Sequence, residues 1–134
     1  MKLPQKFFAR RHEIAADYLK ELDKHLDDLV AGRTTEMLEV RDFADLIHVH
    51  PVHLSNTVKA ATGQSPCYFF EKRLMEISKS MLENANTPIS EIARILTYDP
   101  SNFTKFFKHF AGQTPKQYRE AYLVALTQQA LVTA

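Results

Sequence analysis

A chain of 134 residues that is 45% hydrophobic and 25% charged has the composition of a folded domain and not of a disordered one. Seventeen Lys and Arg against sixteen Asp and Glu leave a net charge of +1, so bulk charge announces no nucleic-acid partner and such a role must rest on local arrangement. A lone Cys67 excludes an internal disulfide, and the lack of a membrane-length apolar run or a signal-peptide core sets a cytoplasmic expectation with no membrane partner.

The first predicted element is a helix over about 5–30. Phe8, Ala15, Leu19, Leu22, Leu26 and Leu29 form a heptad-like seam for most of its length, and Ala31-Gly32-Arg33-Thr34-Thr35 closes it. The seam admits three readings. It packs onto the helices that follow, it pairs two copies of the chain as a homodimer, or it is the remnant of a linker to an effector domain. Residues 1–37 are set apart on this basis as an N-terminal amphipathic helix and loop.

From Val40 onward the chain repeats itself. Shifted by 49 residues, the stretch 40–66 lies without gaps on 89–115. Val40, Phe43, Ala44 and Ile47 fall on Ile89, Ile92, Ala93 and Leu96, and each quartet has the i, i+3, i+4, i+7 spacing of a short amphipathic helix. Pro51 falls on Pro100, Lys59 on Lys108, Gly63 on Gly112, Gln64 on Gln113 and Pro66 on Pro115. Leu54, Val58 and Ala61 fall on Phe103, Phe107 and Phe110, a second stripe expected to face inward. Each copy reads helix, tight turn, helix. His50 and Asp99 stand at the N-cap before a proline at the first helical position, His50 being the poorer cap. Gly63 and Gly112 sit where a helix ends in a left-handed residue.

These signals divide the chain into a first unit over 38–64, a linker helix over 65–84 and a second unit over 87–122. The linker stripe is Phe69, Phe70, Leu74, Ile77, Met81 and Leu82. Twenty helical residues span about 30 Å, close to the roughly 34 Å between successive major grooves on one face of B-DNA. Residues 123–134 form an uncharged tail to which no element is assigned.

The second helix of each unit carries the functional signal. With the apolar stripes turned inward, Val52, His53, Ser55, Asn56 and Lys59 face outward in the first copy. In the second, Ser101, Asn102, Thr104, Lys105 and Lys108 do. Neither face holds an acid, which would repel phosphate. Short hydrogen-bonding groups mixed with cations suit a helix lying in a major groove. His53, Lys59, Asn102 and Lys108 are the candidate phosphate contacts.

The stretch from about 38 to 122 resembles the DNA-binding domain of the AraC/XylS family of regulators. The residues that carry the likeness are Ile89-x-x-Ile92-Ala93, Tyr98-Asp99-x-Ser101-x-Phe103-x-x-Phe106-Phe107-Lys108 and Gly112-Gln113-Thr114-Pro115-x-x-Tyr118-Arg119. The first unit matches through Phe43-Ala44, Leu54-Ser55, Val58-Lys59 and Gly63-x-Ser65-Pro66. The resemblance implies an all-α, homeodomain-like fold of about seven helices. Two helix-turn-helix subdomains joined by a long linker helix would bind double-stranded DNA and regulate transcription, with RNA polymerase as a further partner. By position it assigns base contacts to Val52, Ser55 and Asn56 in the first unit and to Ser101, Thr104 and Lys105 in the second.

Three departures from the family pattern stand out. The family usually has Gly before the aromatic at the second turn, whereas Thr97 precedes Tyr98 here, which implies altered turn geometry or a strained residue. After Arg73-Leu74, either Ile77 or Ser78 takes the family's small-residue place. The first recognition helix has no Arg for guanine.

Other constellations carry less. His48, His50 and His53 have imidazoles that could ligate a metal, but no Cys completes the set and Asp45 is the sole close carboxylate; phosphate contact or solvation is the favoured reading. Cys67 opens the linker helix, where its counterpart in the repeat is Lys116, so a buried or inert thiol is expected. With no nucleophile–base pair and no phosphate-binding glycine loop, neither an enzyme, a metal nor a cofactor is expected. The rival reading is a helical interaction module that dimerises through the 5–30 helix without binding DNA.

Overall fold

In the computed structural model, which describes the backbone of residues 5–133 and the side chains of residues 9–133, every described element is a helix. In order they are α1 (Gln5–Val30), α2 (Val40–Leu46), α3 (Pro51–Thr62), α4 (Pro66–Leu82), α5 (Ile89–Ile95), α6 (Pro100–Ala111) and α7 (Pro115–Thr133). The chain forms two units, Met1–Arg73 and Leu74–Ala134, with the boundary inside α4. No described helix is long and apolar enough to cross a membrane.

In the first unit α1 buries Ile14, Ala15, Tyr18, Leu22, His25, Leu26 and Leu29 against α2 and α3. The predicted seam is right at Ala15, Leu22, Leu26 and Leu29 and shifted at Leu19, which is only half-buried. The covered face is centred on Tyr18 and Leu22 and includes Ile14 and His25, so Leu19, a step of about 100° beyond Tyr18, falls at its margin. Phe8 lies outside the residues whose side chains are described. Tyr18 and His25 both meet Phe43 edge-on, at 5.7 and 5.6 Å between ring centroids. The Tyr18 hydroxyl donates to the Pro66 carbonyl at 2.8 Å, and burial pushes its phenol well above the ordinary tyrosine range. Arg73 pairs with Asp23, tying α4 to α1.

In the second unit Ile92, Ala93, Leu96, Phe103, Phe107 and Leu82 are fully buried. Truncating Phe103 or Phe107 to Ala should cost about 3–5 kcal/mol. Ser78 is fully buried and donates to the Leu74 carbonyl at 2.7 Å, so it takes the small-residue place while Ile77 stays half-buried. Arg119 closes the unit by donating to the carbonyls of Leu82 (2.8 Å), Asn84 (3.1 Å) and Thr87 (2.6 Å), the first at the end of α4, where helical partners run out, and the others in the turn before α5. Thr114 and Gln117 form a reciprocal capping box at the start of α7, at 3.1 and 2.9 Å.

Four expectations need correction. The tail is not without an element: α7 runs through it to Thr133, because 123–133 contains no Gly or Pro to stop a helix. The linker helix has 17 residues, or about 25 Å, since Asn84 and the turn after it end it early. Phe110 is 45% exposed; it lies in the last turn of α6, beyond the core. Cys67 is exposed because Pro66 takes the buried place at the head of α4.

Candidate nucleic-acid interface

The turn before each second helix is built the same way. His48 N–H donates to Asp45 O (3.2 Å) and Val49 N–H to Ala44 O (3.0 Å). In the other copy Thr97 N–H donates to Arg94 O (3.0 Å) and Tyr98 N–H to Ala93 O (2.8 Å). This is the Schellman pattern, which needs a left-handed residue after the cap. His48 and Thr97 supply it with φ of 60° and 67°, which answers the missing glycine at Thr97 with a strained residue.

Both second helices are then capped from the side chain. His50 Nδ1 accepts from Val52 N–H at 3.1 Å, a role that requires this nitrogen to be unprotonated. Asp99 accepts from Asn102 N–H at 3.0 Å. Gly63 and Gly112 end the helices in the left-handed region at φ 83° and 75°.

On α3 the buried stripe is Leu54, Thr57 and Val58. Thr57 was not singled out in the sequence because threonine reads as polar. Its hydroxyl lies 3.5 Å from His53 Nδ1. Val52, His53, Asn56 and Lys59 are exposed and Ser55 is half-buried. On α6 Phe103 and Phe107 are buried, Ser101, Asn102, Lys105 and Lys108 are exposed, and Thr104 is half-buried. The Thr104 hydroxyl donates to the Pro100 carbonyl at 3.0 Å, leaving only its lone pairs outward. The Asn102 amide donates to Asp99 at 2.5 Å, so the phosphate contact expected of it would compete with the cap. Each α3 candidate lies on one helix of the first unit and each α6 candidate on one helix of the second.

The charge pattern survives folding. Neither α3 nor α6 contains an acid, and Lys59, Lys105 and Lys108 stand exposed. Glu91 on α5 is held below the usual carboxylate range by its hydrogen bond from Arg94. Sequence reasoning passed over Arg11, whose guanidinium donates to the Ala60 carbonyl on α3 at 2.9 Å; the run of basic residues before Glu13 was the available signal. His48, His50 and His53 do not converge. Among the described residues no group of three or more His, Cys, Asp or Glu is placed to hold a metal ion.

A family model described as a helix-turn-helix domain matches residues 43–121. The HTH-type transcriptional regulator YobQ of Bacillus subtilis (strain 168) is 31% identical over 107 residues, covering 76% of this chain and 44% of that protein. This chain thus spans less than half the length of that relative, and 34% of another, YisR of the same organism. Among solved structures, the C-terminal domain of AraT, a response regulator from Geobacillus stearothermophilus, matches with a TM-score of 0.69 and 28% identity, over 81% of this chain and 84% of that one. The DNA-binding domain of AdpA, a global transcriptional factor in complex with a target DNA, shares the fold at a TM-score of 0.63 and 21% identity, over 78% and 97% of the two chains. With its paired turns, its capped second helices and these matches, the chain belongs to the AraC-type helix-turn-helix family of transcription regulators.

Proposed function

We propose that this chain binds double-stranded DNA in a sequence-specific way, placing α3 and α6 in successive major grooves and so regulating transcription in the bacterial cytoplasm. The observation that carries the reading is the pairing of two acid-free, cation-bearing helix faces behind two identical turns. Base reading falls to Val52, Ser55, Asn56, Ser101, Thr104 and Lys105. Phosphate contact falls to His53, Lys59, Asn102 and Lys108. Contact with RNA polymerase belongs to the proposal through family likeness. Homodimerisation through α1 has weaker support, because its apolar seam is already covered by α2 and α3.

The rival, an interaction module without DNA binding, rests on Val124, Leu126, Leu131 and Val132, which α7 leaves exposed. Salt separates the two readings, since a DNA binder releases counterions and loses affinity linearly in log salt. Selection from a random duplex pool is the direct test. Enrichment of a site with two half-sites about one helical turn apart supports the proposal; no enrichment at low salt overturns it.

A further inference from the structure

The start of α1 is basic: Lys6, Arg10 and Arg11 all precede the first acid of the helix, Glu13. Arg11 fixes where this stretch lies within the first unit. Its guanidinium donates to the carbonyl of Ala60, in the last turn of α3. Ala60 is exposed and sits one turn after Asn56, on the flank of the outward face that also holds His53. Lys59 is its exposed neighbour. The basic end of α1 is therefore held beside the recognition helix, next to a proposed phosphate anchor.

Arg11 itself has a structural account: it satisfies a carbonyl that the end of α3 leaves open and sets a cation at the negative end of the helix dipole. Arg10 does not share that task. It is exposed, and among the described residues its ion pair is along its own helix with Glu13, at 3.1 Å, both side chains more than half accessible. Such a pair is weak and exchanges readily for a phosphate. Lys6 stands four residues earlier on the same helix.

We infer that the basic start of α1, acting through Arg10 and Lys6 beside Lys59, is a third DNA-contacting element that grips backbone phosphates next to the half-site read by α3. This rests on the proposed DNA binding and adds a surface outside both helix-turn-helix units. It also supplies the guanidinium that α3 lacks. Its partner is phosphate, so it adds grip and register without base information.

The test uses the full chain on its selected site and compares the parent with Lys6→Gln/Arg10→Gln, leaving Arg11 in place. The variant's salt slope should be shallower by about two units. Phosphate-ethylation interference should lose the positions beside the α3 half-site and keep those beside the α6 half-site. The conservative Arg10→Lys should retain the parent's slope, which separates lost charge from lost folding. A double variant with the parent's slope and interference pattern overturns the inference while leaving DNA binding intact. A parent that selects no site overturns the DNA-binding reading, and this inference with it.

Discussion

His48 and Thr97 occupy the same position in two copies of one turn, both in the left-handed region at φ 60° and 67°. The position exists because a Schellman motif must reverse the chain before the next helix can start. Histidine reaches this region more readily than a β-branched residue. The strain is therefore greater at Thr97.

Thr97→Gly should stabilise the second unit by about 0.5–1 kcal/mol, the relief of left-handed strain exceeding glycine's greater unfolded-state entropy. His48→Gly should give less in the first unit. Urea midpoints of the two variants check this. A destabilised Thr97→Gly would show that the threonine side chain contributes more than its strain costs.

His25 links stability to pH. Its Nε2 accepts the Leu38 N–H at 3.0 Å, and burial lowers its pKa, against the opposing pull of Asp28 and Asp42. A depressed folded-state pKa means that the neutral ring stabilises the fold above the unfolded value of about 6.5. That contribution is lost as pH falls below it. His25→Gln should therefore be destabilised by about 1–3 kcal/mol at pH 7.5, and its gap to the parent should shrink on acidification to pH 5. A gap constant with pH would remove His25 from the account.

His50 caps α3 through Nδ1, which accepts the Val52 N–H, and an N-cap contributes about 1 kcal/mol. His50→Ala should lose about that much stability, and His50→Ser, which restores a cap acceptor, should keep most of it. Urea midpoints of the two variants check this, and an unchanged midpoint for His50→Ala would remove the cap from the account.

Lys108 and Lys59 recur at the same place in the repeat and both stand exposed. Lys108→Ala should weaken binding to every sequence alike and make the salt slope shallower by about one unit. A change in which base is preferred would show that Lys108 reads sequence.

Much of this architecture was legible because its signals are local. The 49-residue repeat marks both turns, prolines and glycines mark the helix ends, and apolar spacing marks the buried faces at Phe43, Leu54, Ile92 and Phe103. The failures have tertiary causes. Thr57 is buried although polar, since its neighbours and not its chemistry decide exposure. Phe110 is apolar but lies beyond the reach of the core. Tyr18 is buried in place of Leu19 because its hydroxyl finds the Pro66 carbonyl, a tertiary partner that apolar spacing does not show. The site faces were legible through what they lack, namely acids. The engagement of Asn102 by Asp99 and of Thr104 by Pro100 O was not, because it depends on where a side chain turns.

Base reading by both recognition helices is the central claim. Lys105 is the one cation among the six proposed base contacts and can donate to guanine, while Asn56 can pair bidentately with adenine and Val52 can meet a thymine methyl. The α3 half-site should be rich in A·T and the α6 half-site should contain a G, with the second unit contributing more. The decisive measurement is the affinity of Lys105→Ala and of Asn56→Ala for the selected duplex and for each of its single-base variants. The account predicts that each substitution costs about 1–3 kcal/mol on the preferred site, much less on random duplex, with discrimination lost at one base pair and Lys105→Ala the costlier. If both lower affinity for every duplex by the same factor, α3 and α6 hold the backbone without reading sequence, and the claim is contradicted.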